Sequence, residues 1–128
     1  MSTFEQAVVS YMGTDAGVTA ITSSFHPLVA PQTATPPYVV YQLISNLELQ
    51  LNGYVMPRLQ LACWGASYSG AVELANAVRN CWYNKHMTHL GVHLHSWVKN
   101  EMDGNRDEAT RRCCRIVDVR FTYRNIPT

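Results

Sequence analysis

Three groups of residues in this chain have the types and spacing from which chemistry is built. Gly65-Ala66-Ser67-Tyr68-Ser69 falls between an alternating apolar run and a helical stretch. That is where a Gly-x-Ser-x-Gly elbow would lift a nucleophilic serine above a sheet. The last position holds Ser69, however, and the neighbouring strands read as an antiparallel hairpin, whereas the hydrolase scaffold needs parallel βαβ units and a longer chain. A serine at 67 or 69 fits better as a helix N-cap, accepting from the free amides of the first turn. His86, His89, His93 and His95, with Cys81 close by, concentrate soft ligands and invite a zinc reading. Their spacing gives no Cys-x-x-Cys pair and no His-x-x-x-His on a clear helix, so they read as surface or interface histidines, with His93 and His95 on one strand face. Arg111, Arg112, Arg115, Arg120 and Arg124 recur along the last strand, with Arg112, Arg120 and Arg124 on its polar face. Three readings stay open for them: a solvated face interrupted by Asp118, an intersubunit surface on which guanidinium groups grip carboxylates, and a phosphate contact. No Walker loop, Gly-x-Gly-x-x-Gly or His-Glu-x-x-His occurs. No catalytic residue, metal or cofactor is expected.

The elements that must position these groups are plain over much of the chain. Pro36-Pro37 opens an alternating run from Tyr38 to Ile44, since proline sits best at the start of a strand. A second run from Arg58 to Trp64 places Leu59, Leu61 and Cys63 on one face and Arg58 and Gln60 on the other. Asn52-Gly53 between them supplies residues that tolerate positive φ in a reversal, so the pair reads as a long antiparallel hairpin. Ser2-x-x-Glu5 is a capping box. After it Phe4, Ala7, Val8, Tyr11 and Met12 form one helical face that Gly13 ends. A short helix is expected from Asp15 to Thr22, and the stretch from Phe25 to Thr35 reads as an extended arm with a short edge strand near Phe25 to Val29. The longest helix runs from Ser67 to about Lys85 and turns Ala71, Leu74, Ala75, Val78 and Trp82 inward. Two further strands carry Val92, Leu94, Ser96 and Val98, and then Cys113, Val117, Val119, Phe121 and Tyr123. The charged segment from Glu101 to Glu108 between them is a solvated hairpin tip. The expected fold class is α+β, an antiparallel sheet of four to five strands with the N-terminal helix and one long helix packed on one face, as a single domain over residues 1–128.

Composition narrows the function classes. A formal charge of +1 over 128 residues, with a charged fraction of 15%, gives no global basic field for nonspecific nucleic-acid binding. From Lys99 onward there are seven Lys/Arg against five Asp/Glu, so basic character is local. The opening residues lack the flank and apolar core of a secretory signal, and no apolar run approaches a membrane span. A cytoplasmic setting is expected, in which the four cysteines stay reduced and mostly buried.

In order and wording these segments resemble the tail-completion, or tail-terminator, proteins of long-tailed bacteriophages and prophages. The likeness is carried by Asp15-Ala16-Gly17-Val18, His26-Pro27-Leu28-Val29-Ala30-Pro31-Gln32, Pro36-Pro37-Tyr38-Val39-Val40-Tyr41, Leu59-Gln60-Leu61-Ala62-Cys63-Trp64, and Tyr68 opening a helix that contains Leu74-Ala75-Asn76-Ala77-Val78-Arg79. It spans nearly the whole chain and departs from the commoner pattern in the His/Trp-rich segment from Trp82 to Trp97. The resemblance implies a non-enzymatic virion subunit, assembled in the bacterial host cytoplasm, that forms a ring, commonly a hexamer, on the head-proximal end of the tail tube. There it stops tube growth and offers the surface that joins the filled head. Its partners would be copies of itself, the major tail tube protein and a head-tail connector or stopper, with DNA only as cargo passing through the lumen and no membrane. A neck adaptor or stopper subunit is the alternative.

A ring subunit needs exposed edges or arms for its neighbours and loops that reach along the axis. Pro31 and Gln32 in the arm, and Asn52 and Tyr54 in the hairpin from Leu47 to Met56, are assigned to neighbour contacts. Asp103, Asn105 and Arg106 in the tip from Glu101 to Thr110 are assigned to axial contacts. Arg120 and Arg124 are placed at a subunit interface, where a neighbour's carboxylates neutralise them, because lumen arginines would slow DNA transit.

Overall fold

The computed structural model describes residues 4–31, 33–49, 54–104 and 111–124, excepting the side chains of Glu48, Leu49 and Arg124. The capping serine Ser2, the Asn52-Gly53 reversal and the tip residues Asn105 to Thr110 lie outside them. The elements are α1 (Phe4–Met12), α2 (Ala16–Thr19), β1 (Phe25–Pro27), β2 (Tyr38–Leu49), β3 (Tyr54–Gly65), α3 (Tyr68–Trp82), β4 (Lys85–His89), β5 (Val92–Asp103) and β6 (Cys113–Arg124).

The architecture is α+β, with α1 and α3 on one face of a sheet ordered β1-β2-β3-β6-β5-β4. The sheet has six strands among the described residues, one more than the upper expectation. The added strand is β4, which pairs with β5 from Lys85↔Ser96 to His89↔Val92. Its turn, Leu90-Gly91, has φ of 50° and 77° at the two central positions. That is the two-residue reversal natural hairpins favour, but its first position normally carries Asn, Asp or Gly. Leucine there hides the hairpin from a reading of turn residues. The sheet is also not wholly antiparallel, because β1 runs parallel to β2, with Phe25 beside Val39 and Pro27 beside Tyr41.

The central hairpin is longer than the apolar alternation marks. Its pairing runs from Tyr38↔Trp64 to Leu49↔Tyr54, with an irregularity between Leu43 and Ser45. The extra length carries Ser45, Asn46 and Pro57, whose polarity and missing donor conceal a strand. Since β2–β3 and β5–β6 are both antiparallel pairs within one sheet, the strand ends that each connection joins lie at opposite ends of it.

The core lies between sheet and helices. From α1 it takes Phe4, Ala7, Val8 and Met12, with Tyr11 half-buried; from α3, Ala71, Leu74, Ala75, Val78, Cys81 and Trp82. The sheet contributes Leu59, Leu61 and Cys63 from β3, Leu94 from β5, and Val117, Val119 and Phe121 from β6. Burial of Leu74, Val78 and Trp82 contributes on the order of 5–9 kcal/mol before conformational entropy is subtracted. Ser67 caps α3 by accepting from the Gly70 amide at 3.1 Å, which is the structural role its position suggested. The other end of α3 is held by buried Ser96, whose hydroxyl donates to the Trp82 carbonyl at 2.8 Å. Gly65 lies where β3 passes under the first turn of α3: a Cβ there would stand 2.4 Å from the Ala71 amide nitrogen.

Candidate assembly surfaces

The sheet face opposite the helices is built by strand register. One row runs Tyr38, Trp64, Cys114; the next Val40, Ala62, Ile116, Met102; a third Ser45, Arg58, Arg120, Trp97. The third row sets two arginines side by side, an arrangement that like-charge repulsion opposes unless a carboxylate intervenes. Asp118 supplies it. It is 2% exposed, and Arg58 Nε donates to both its oxygens at 2.9 Å while Nη2 bonds Oδ2. Hydrogen bonding and the charge of Asp118 push the Arg58 pKa up. Asp118 is therefore no interruption of a solvated stripe, as strand alternation suggested, but a buried partner whose burial depends on Arg58. Arg58→Met is expected to strand that carboxylate and to lower the urea midpoint more than Asp118→Asn does. The double substitution Arg58→Met with Asp118→Leu should recover most of the loss, which a double-mutant cycle in urea measures.

The other arginines separate into different jobs. Arg112 lies 5.8 Å from the Tyr38 ring centroid and donates to its hydroxyl at 3.1 Å. Tyr38 in turn stacks on Trp64 and meets His26 edge-on. Arg115 works on the helix side, donating from Nε to Glu101 at 2.8 Å and from Nη1 to Asp103 at 2.7 Å, while the Tyr68 hydroxyl donates to Asp103 at 3.1 Å. This polar clasp ties the start of α3 to the ends of β5 and β6. Arg120 is half-buried opposite Trp97 and forms no ion pair among the described residues.

The histidines are dispersed into local pairs. His89 Nε2 meets the Ser10 hydroxyl at 2.9 Å, His93 Nδ1 meets Thr88 Oγ1 at 2.7 Å, and His95 Nε2 meets the Asn84 amide oxygen at 3.0 Å. His86 and His95 stack with ring centroids 3.8 Å apart, and desolvation followed by the neighbouring His86 lowers the His95 pKa. Among the described residues no group of three or more His, Cys, Asp or Glu converges to hold a metal. All four cysteines are free, and burial raises the thiol pKa of Cys63 and Cys81 and pushes Cys114 up to about 12. Cys63, Cys81 and Cys114 are therefore inert packing groups at neutral pH, while Cys113 is half-exposed.

Those of the residues assigned to neighbour and axial contacts that are described lie on separate elements. Pro31 is exposed in the arm, and Tyr54 is 41% exposed at the start of β3, paired with Leu49 and Arg124 by register. Asp103 is exposed but already held by Arg115 and Tyr68. Gln32, Asn52, Asn105 and Arg106 lie outside the described residues. Strand alternation did not single out the outer edge of β2. Beyond Pro27, Leu28 adopts φ 63° and β1 stops, so past Tyr41 no described residue pairs with the outer edge of β2. Leu43, Ile44 and Leu47 are 39%, 41% and 54% exposed there, and Leu28 and Val29 are 70% and 76% exposed beside them. A hollow of about 260 Å³ lined by Glu5, Pro27, Leu28, Tyr41, Gln42 and Leu43 opens at this edge.

The likeness to solved proteins is one of fold. Over 95% of its length the chain matches 95% of a chain solved as "Virion of native gene transfer agent (GTA) particle", with a TM-score of 0.74 and 15% identity. A second solved chain is matched over its full 100%, covering 99% of this one, with a TM-score of 0.58 and 12% identity. No family model and no curated protein matches the sequence.

Proposed function

We propose that this chain is a non-enzymatic structural subunit of a phage-type particle that caps the head-proximal end of the tail tube as a ring, ends tube polymerisation and forms the surface to which the head joins. The observation that carries the reading is the fold match, end to end, to a chain of a gene transfer agent virion. The order of segments that resembles tail-terminator proteins supports the same reading from the sequence side.

The geometry suits the role. The β2–β3 and β5–β6 strand ends at opposite ends of one sheet offer one contact toward the tube and one toward the connector, and the sheet edges between them offer contacts around the ring. In this reading Arg120, half-buried beside Trp97, accepts a carboxylate from a neighbouring copy, and Tyr54 and Arg124 act at the β2–β3 end. The test is native mass spectrometry with negative-stain imaging of the purified chain, alone and with tail tubes. Closed rings of one copy number, seated at tube ends, are expected. Chains that bind only to an isolated connector would favour the adaptor role instead.

A further inference from the structure

We infer that the outer edge of β2 from Leu43 to Leu47, unpaired among the described residues, receives β4 of a second copy, so that subunits join head to tail through one continuous sheet. The inference rests on the ring reading above and names the segment that forms its contact.

A sheet edge left unpaired presents a row of N–H and C=O groups that only another extended chain satisfies. Proteins usually blunt such an edge; here the irregularity between Leu43 and Ser45 bends it at one point, while Leu43, Ile44 and Leu47 all lie exposed along it. The other end of the sheet is β4, which pairs only with β5 among the described residues. A heterologous contact needs two different surfaces on the same subunit, and these two edges are different and compatible. In length, β4 has five residues, matching the stretch from Leu43 to Leu47. In direction, β2 and β4 point the same way, because each is an even number of antiparallel steps from the other across β3, β6 and β5. Copies related by an axis along the strands would pair them parallel, in the column that β1 already occupies lower down beside Val39 to Tyr41.

Charge agrees with this arrangement. On the helix side of the β2 edge, Glu5 lines the hollow with Leu28 and Leu43. On the helix side of β4 stands Lys85, opposite buried Ser96, with its ammonium 5.9 Å from the Tyr11 ring centroid. A head-to-tail joint brings this lysine toward the Glu5 of the next copy, with exposed Leu28 and Leu43 covered between them.

Lysine pairs block each edge in turn: Ile44→Lys with Leu47→Lys on β2, and His86→Lys with Thr88→Lys on β4, all at exposed positions. Circular dichroism and the thermal midpoint confirm folding, and the single variants Leu47→Lys and Thr88→Lys stand in for any double variant that fails to fold. Each blocked chain alone should be monomeric by native mass spectrometry. An equimolar mixture of the two should give a one-to-one heterodimer and no ring, since it retains one good edge of each kind. Rings that survive either block, or a β2 block that acts while the β4 block does not, would overturn this joint and leave the ring reading intact. No heterodimer from the mixture would point to β2 pairing with β2 or with a tube strand, and would overturn it as well. A parent chain that never assembles would overturn both.

Discussion

Trp82→Ala should cost about 3–5 kcal/mol, a large part of the stability of a domain this size. Trp82 is fully buried at the last turn of α3, with the Phe121 ring at 5.1 Å edge-on and the Tyr11 ring at 5.3 Å. It joins α1, α3 and β6 in one contact, so truncation leaves a cavity that no single element can close by shifting. Its indole N–H has no hydrogen-bond acceptor among the described residues. Trp82→Phe therefore forfeits packing alone and should cost much less. Equilibrium urea unfolding of both variants checks the difference. Equal losses would mean that the indole edge, not the ring volume, secures the site.

Gly65→Ala should be nearly as damaging for the opposite reason. The added methyl would meet the backbone of α3, at 2.4 Å from the Ala71 nitrogen and 2.8 Å from the Gly70 carbonyl carbon. Backbone at a helix start cannot step aside as a side-chain tip can, so the helix must lift from β3 or β3 must bend. Overpacking of this kind is expected to cost about 3 kcal/mol or more. The urea midpoint again reports it. A variant as stable as the parent would show that α3 sits less firmly on the sheet than its buried stripe indicates.

Much of this arrangement was legible in the residues. Alternation marked β6 and much of β2, β3 and β5 because one face of each is buried and the other is not, and the 3.6-residue stripe of α3 placed Ala71, Leu74, Ala75, Val78 and Trp82 in the core they occupy. Gly13, whose amide donates to Val9 at 3.1 Å, ended α1 as expected. What escaped the reading followed from context beyond local pattern. The strand β4 is polar except for Met87, and its turn opens on leucine, so neither apolar period nor turn residue announces it. The exposed β2 edge follows from where β1 stops, at Pro27, which no pattern within β2 encodes. Asp118 occupies a polar-face position by alternation, and nothing local shows that Arg58 from β3 will bury it. The surfaces assigned to neighbours rest on which faces stay uncovered, a property of the whole sheet that no single segment encodes.

The proposed role is that this chain limits tail growth and joins tail to head without transforming any molecule. Deleting its coding sequence from the particle that encodes it, and measuring tail length and head attachment by electron microscopy, tests that claim most directly. The account predicts tubes of uncontrolled length and filled heads left unjoined, both restored when the chain is supplied in trans. Particles with tails of normal length attached to their heads would contradict it.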